Sequence, residues 1–336
     1  MTLGKLFKSP RVVALATLVA LASLEFALRA AGFAAAAVTE PHPELGWVTL
    51  PDQVRPGAHG EGLSINAWGF RDRDWSTLDS EPRAERVAFL GDSRAYAASV
   101  PVDSGFVSIV QHALRDSPRP FVTMNFAQPG YGLEQMQRLY SISVRAWKPS
   151  TVVVCVGSLS IQPTPPPFER RDFPFRRLVL RTALWDFLDQ YVLRDAHSFD
   201  AAWERAGLAE EARAAREGFR IAREAPLGPS AEPLWVSASE RLAQLEREVA
   251  LDGARLVVLV LPRPDELAPK RASELLHRWR TCSEACDRPP TIVDATAALR
   301  DVAQPFSERD VLHFSEAGHA ALARALLDGG LGASWR

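Results

Sequence analysis

Two rhythms of apolar and polar positions alternate along most of the chain. Short continuous apolar runs, rich in β-branched residues, occupy 86–90, 121–126, 151–156, 255–261 and 291–294. Such runs are the mark of strands buried on both faces. Between them, apolar residues recur with the period of a helix that lays one face on a core, over 104–116, 132–147, 233–251 and 315–328. Strand and helix in strict alternation predict an α/β fold, a parallel sheet with helices on both faces.

The rhythm breaks over 160–232. Pro163, Pro165, Pro166 and Pro167 open this stretch, and helical patterns follow at 174–194 and 199–224. It reads as a helical insertion between the third and fourth strands. Ligands in such folds bind beyond the carboxyl ends of the strands, so the insertion is either a lid over that edge or a hairpin covering the flank. Residues 39–85, rich in proline, glycine and charge, read as a linker and the entry to the domain.

The N-terminus follows neither rhythm. Lys5, Lys8 and Arg11 precede an uncharged apolar stretch, 12–24; Glu25 and Arg29 then interrupt a pattern that resumes to Val38. The uncharged core is short for a bilayer, which needs roughly 20 residues. Glu25 and Arg29 stand four apart and can pair along one helix face. Placed near the outer interface, they let 12–32 span, with the basic tail inside and the remaining chain outside. A cleaved signal peptide is the alternative, since Ala34 to Ala37 offer small-residue cleavage sites. The chain thus divides into a cytoplasmic tail (1–11), an anchor or signal (12–32), a linker and domain entry (33–84) and one exported domain (85–336).

Composition narrows the function classes. Of 336 residues, 47% are hydrophobic and 24% charged, as in a globular protein. Lys and Arg number 39 against 41 Asp and Glu, and a net charge of −2 gives no whole-protein grip on nucleic acid. No phosphate-binding loop and no dinucleotide glycine pattern follows a strand, so no cofactor is expected. Three cysteines and scattered histidines predict no metal site. Cys155 lies in a valine run and reads as a core residue. Cys282 and Cys286, four apart in a polar stretch, are a candidate disulfide in an oxidising compartment.

Three short blocks carry candidate chemistry. Gly91-Asp92-Ser93 stands at the end of the first strand, where a serine faces the crevice, although any strand-to-helix turn favours the same residues. Asp310-Val311-Leu312-His313 precedes the last helix. Its spacing lets the carboxylate accept from imidazole Nδ1–H, leaving Nε2 free to take a serine proton. Asn125-Phe126-Ala127-Gln128-Pro129-Gly130 follows the second strand, and a glycine there lets a backbone N–H approach a reacting carbonyl.

In these blocks the chain resembles the SGNH hydrolases, the GDSL-type esterases and lipases, over about residues 85–328. Phe89 to Ser93, Asn125 to Gly130 and Asp310 to His313, continued by Phe314 to His319, stand in the family's order. Asn66-Ala67-Trp68-Gly69-Phe70-Arg71 resembles a segment found before the first strand in bacterial membrane-anchored members. The resemblance implies a flavodoxin-like three-layer sandwich with a central parallel sheet of about five strands. It implies a triad with Ser93 as nucleophile, His313 as general base and Asp310 as its orienter, and an oxyanion hole that includes the Ser93 and Gly130 N–H groups. The implied activity is that of a serine esterase or acyl-ester hydrolase, held by a single inner-membrane pass and facing the periplasm. O-acylated carbohydrate is the expected substrate, with lipid esters as the alternative. Acyl transfer to envelope polysaccharide is an alternative activity, with the polysaccharide machinery as partner.

Two departures from the family pattern matter. The third block of the family reads Gly-x-Asn-Asp, and its asparagine donates to the oxyanion; here Gly157-Ser158-Leu159-Ser160 places leucine there. Ser158 or Ser160 is left to supply a hydroxyl, and the alternative function is a catalytically weak binding or assembly module. Arg94 follows the nucleophile and would place a guanidinium for a substrate carboxylate or phosphate. With Asn125, it is a candidate substrate-binding residue.

Overall fold

The computed structural model describes residues 9–33, 37–57, 61–76, 84–115, 121–166, 175–179, 181–191, 207–268, 273–308 and 310–331. Most of the basic tail, Ala34 to Ala36 of the cleavage stretch, Pro167 and the start of the second insertion helix lie outside them.

Helix α1 (Pro10–Ala30) opens on a proline, whose missing N–H is no loss in a first turn. An 18-residue window within it has a mean hydropathy of 1.9, and none of its residues is buried. By length and composition it is able to cross a membrane, a test that signal sequences also pass. Glu25 and Arg29 pair along it at 2.7 Å, as their spacing predicts.

Two antiparallel hairpins follow, β1 (Thr39–His42) with β2 (Gly46–Thr49) and β3 (Gln53–Arg55) with β4 (Leu63–Ile65). Leu45, Phe70 and Trp75 are buried with the core on one face of the central sheet, and Leu63 and Ile65 with the core on the other. The stretch read as a linker and domain entry is therefore packed into the domain over most of its length. Its glycines and prolines serve tight turns between very short strands, and a linker has the same composition.

The rest of the chain runs through β5 (Glu85–Leu90), α2 (Phe106–Ala113), β6 (Phe121–Asn125), α3 (Leu133–Ile142) and β7 (Thr151–Val156). The insertion supplies α4 (Arg176–Val179), α5 (Ala183–Tyr191) and α6 (Ala209–Glu224). Then come α7 (Glu232–Leu251), β8 (Arg255–Val260), α8 (Glu274–Ser283), β9 (Thr291–Asp294), α9 (Thr296–Arg300) and α10 (Glu316–Ala325). Strands β5 to β9 form one parallel sheet in the order β6-β5-β7-β8-β9, the flavodoxin-like arrangement.

Side-chain alternation builds the three layers. Val152, Val154 and Val156 of β7 face a core shared with α3, α7 and α8, while Val153 and Cys155 face one shared with α2 and α10. Each fully buried valine contributes about 1.5–3 kcal/mol. The chain leaves β5 to one side for β6 and returns on the other for β7. The switch point therefore lies between β5 and β7, where ligands of such folds bind.

The insertion is tied at both ends. Helix α6 buries Ala212, Ala215, Gly218 and Ala222 against the turn that follows β7, and a Cβ on Gly218 would lie 2.6 Å from the Pro163 ring. Helix α5 docks on α1. The Glu25 carboxylate accepts from the N–H groups of Ala183 and Leu184, each at 2.9 Å, and Arg29 donates to the Arg181 carbonyl at 3.1 Å.

The expected disulfide is absent, because Cys282 and Cys286 are both buried free thiols. Helix α8 carries the chain through this polar stretch and turns Cys282 inward, its sulfur 3.9 Å from the Trp235 carbonyl oxygen. Burial pushes Cys282 up to about 12 and Cys286 up to about 11, so both stay protonated.

Candidate active site

Ser93 leaves the end of β5 through a turn that only glycine permits at position 91, where a Cβ would stand 2.5 Å from that of Ala95. Asp92 shapes the turn. One carboxylate oxygen accepts from the Arg94 N–H at 2.9 Å, and its carbonyl accepts from the Tyr96 N–H at 2.9 Å. Ala97 then takes a left-handed conformation, φ 60°, costly for a residue with a Cβ. Buried Arg71 holds that loop by donating to the carbonyls of Tyr96, Ala97 and Val100 at 3.0, 2.7 and 2.7 Å. Asn66 positions Arg71, its Oδ1 accepting from the Trp68 and Phe70 N–H groups at 3.0 Å each. The segment before the first strand thus clamps the serine loop.

The histidine comes from a small closed loop. Ser307 N–H donates to the His313 carbonyl at 2.8 Å, Ser315 N–H donates to the Pro305 carbonyl at 3.0 Å, and the rings of Phe306 and Phe314 stack at 5.1 Å. Ser99 donates to the Phe314 carbonyl at 2.7 Å, fastening this loop to the serine loop. Asp310 accepts from the Leu312 N–H at 2.9 Å through one oxygen, and its other oxygen lies 2.5 Å from His313 Nδ1. His313 Nε2 lies 2.8 Å from Ser93 Oγ. With the proton on Nδ1, the carboxylate, imidazole and hydroxyl form one continuous hydrogen-bonded chain.

The backbone N–H groups of Ser93 and Gly130 have no hydrogen-bond partner among the described residues. The pairing of β5 with β6 continues past the strands, as Phe126 N–H donates to Phe89 O at 2.8 Å and Gln128 N–H to Gly91 O at 3.0 Å. Gly130 follows with φ 79°, and a Cβ there would press to 3.1 Å from the Trp47 ring. Gly130 is not among the residues lining the cleft beside Ser93.

That cleft, of ≈ 100 Å³, is lined by Ser93, His313, Ser158 and Leu159 with apolar walls from Pro262 and Phe306. The turn after β7 separates the two serines that sequence left open. Ser160 Oγ accepts from the Gly157 N–H at 2.9 Å and is engaged within the turn. Ser158 lines the cleft, and its hydroxyl has no partner among the described residues.

Asn125 is corrected by its surroundings. It is buried, its amide donates to the Ala95 carbonyl at 3.1 Å, and its oxygen accepts from the Ala127 N–H at 3.1 Å. It joins two loops and does not line the cleft beside Ser93. Arg94 lines the cleft, but its Nη2 is 2.7 Å from Asp92 Oδ2, a buried ion pair that neutralises it. Its guanidinium also lies against Gly157, where a Cβ would stand 2.3 Å from Nη2.

Sequence reasoning missed Asp72, Arg223 and Arg263. Asp72 is buried and accepts from the Asn125 N–H at 2.8 Å and the Trp75 indole N–H at 3.0 Å; burial raises its pKa. Arg263 was within reach, since Leu261-Pro262-Arg263-Pro264 directly follows a strand end. Arg223 had no local signal. His319 is buried between the Phe106 and Phe314 rings at 6.0 and 5.9 Å, and burial pushes it down to about 3. Among the described residues, no three His, Cys, Asp or Glu side chains converge as a metal site would require.

No protein-family model matches the chain, and no curated protein does. Several solved structures are similar to it. TesA is 12% identical, with 72% of this chain and 96% of that chain covered and a TM-score of 0.45. A mutant of Axe2, an acetyl-xylooligosaccharide esterase from Geobacillus Stearmophilus, is 17% identical, with 73% and 93% covered and a TM-score of 0.44. A protein described as a putative lipolytic protein of G-D-S-L family from Desulfitobacterium hafniense DCB-2 is 10% identical, with 71% and 96% covered and a TM-score of 0.41.

Proposed function

We propose that the chain is a serine ester hydrolase of the SGNH (GDSL) type, anchored by α1 with its domain outside the cytoplasm. The observation that carries the reading is the chain of contacts from Asp310 through His313 to Ser93 Oγ, ending at a cleft. His313 Nε2 takes the hydroxyl proton as Ser93 Oγ bonds to the ester carbonyl carbon, and Asp310 stabilises the imidazolium. The Ser93 N–H and the Ser158 hydroxyl, both without other partners among the described residues, donate to the oxyanion, joined by the Gly130 N–H that the resemblance assigns. The tetrahedral carbon expels the alcohol, which leaves with the proton from His313. Water, deprotonated by His313, then cleaves the acyl-serine and releases the acid.

The cleft, of ≈ 100 Å³, has room for a short acyl group such as acetyl. O-acetylated carbohydrate is the substrate class this reading favours. The basic tail before α1 supports a single pass with the domain outside. A binding or assembly module is the second reading, favoured by Leu159, which puts a side chain without a donor on the cleft wall.

A fluorophosphonate probe tests both. Wild type becomes labelled and cleaves aryl acetates, Ser93→Ala does neither, and His313→Ala is strongly reduced. If neither wild type nor Leu159→Asn is labelled or turns over, the binding reading replaces the hydrolase.

A further inference from the structure

The cleft beside Ser93 is one-sided in charge. Arg94, Arg223 and Arg263 line it, and among the described residues no Asp or Glu does. The three cations are not equivalent. Arg94 is neutralised by Asp92, as described. Arg263 Nε is 3.0 Å from Asp265 Oδ1, and its Nη1 donates to the Arg223 carbonyl at 3.3 Å. Its guanidinium is thus occupied in fixing the last turn of α6 to the cleft wall. Arg223 itself has no ion-pair partner among the described residues. The nearby acids of its helix are engaged elsewhere, since Glu217 and Glu224 both pair with Arg220.

Arg223 is exposed and lines the cleft together with Pro262, Pro264, Phe306 and Leu312, so its guanidinium is open to an entering ligand. Its planar fork suits the oxygens of a carboxylate or phosphate. We infer that the site takes an ester bearing an anionic oxygen group, and that Arg223, delivered by the insertion, is the residue that reads it. The inference rests on the proposed hydrolase function for its kinetic form, while its binding form stands apart from turnover. It also gives the insertion a specificity role.

The kinetic test compares kcat/KM for 4-acetoxybenzoate with that for its uncharged methyl ester, and adds 4-acetoxyphenyl phosphate as the second anion. Wild type should prefer the anions by about tenfold, the lower range for a charge-assisted pair that is partly exposed. Arg223→Gln should abolish the preference, Arg223→Lys should keep part of it, and raised salt should weaken it. Arg213→Gln makes the same change of charge on an exposed position of the same helix and should leave the preference intact. The anion that gains more identifies the group.

The binding test titrates the two benzoate-derived esters into the Ser93→Ala protein, which cannot form the acyl-enzyme. The anion should bind about tenfold tighter, and Arg223→Gln in that background should equalise the two. Equal dissociation constants for anion and methyl ester, or a preference that survives Arg223→Gln, overturn the inference whether or not wild type turns over. Loss of probe labelling and aryl acetate cleavage in wild type, with the binding preference retained, defeats the hydrolase reading alone.

Discussion

Ser158 and Ser160 lie two residues apart in the turn after β7, and truncating each to alanine should produce opposite phenotypes. The Ser158 hydroxyl lines the cleft with no partner among the described residues, so Ser158→Ala leaves none of their groups unpaired and should change unfolding free energy by less than about 0.5 kcal/mol. In the proposed reaction it removes a donor to the oxyanion. Loss of one such donor costs about 100- to 1,000-fold in kcat, and a neutral hydroxyl belongs at the lower end. KM should move little, because the donor acts mainly in the transition state. Ser160→Ala does the reverse. It leaves the buried Gly157 N–H without its 2.9 Å acceptor, a loss of about 1–3 kcal/mol, while the cleft keeps its donors. Aryl acetate kinetics beside urea unfolding of the same samples separate the two. A Ser158→Ala enzyme within twofold of wild-type kcat, or a Ser160→Ala enzyme that loses activity without losing stability, refutes the assignment.

Three further outcomes are expected. Arg71→Leu orphans the carbonyls of Tyr96, Ala97 and Val100 and should lower unfolding free energy by about 3 kcal/mol or more, with slower Ser93 labelling in the protein still folded. Burial holds His319 at about 3 against an unfolded value near 6.5, so the unfolded chain takes up a proton that the folded one refuses; between those pH values stability should fall as pH falls, by about 1.4 kcal/mol per unit, and His319→Leu should flatten that slope in urea titrations. Denatured but unreduced protein should take up iodoacetamide at all three cysteines, and an intact mass two alkylations short would restore the Cys282–Cys286 bond.

Much of the fold was legible because its signals are local and repeated. A strand buried on both faces needs apolar residues at consecutive positions, so β5 to β9 could be read within a residue or so of their ends. The order of strand and helix then confined the sheet to a parallel one. The 39–76 stretch was misread because a hairpin of three-residue strands and a linker share turn residues, and only packing tells them apart. The two cysteines were misread for a related reason. A polar stretch carries no sign of burial, yet α8 turns Cys282 inward and Cys286, just past its end, is buried as well.

At the site, the sequence by itself determined which residues had the right chemistry and which strand ends carry them. Ser93, Asp310, His313, Gly130 and the two serines after β7 were all named from type and position. It could not determine which polar groups are already occupied. Asn125 and Ser160 are engaged with backbone, Arg94 with Asp92, and Ser158 and Arg223 are not. A hydrogen bond or ion pair between residues remote in sequence leaves no periodic trace in either, so availability for chemistry is decided only when the chain closes. Arg223 shows this most plainly, since it reaches the cleft only because α6 packs on the turn after β7 and Arg263 holds its last turn there.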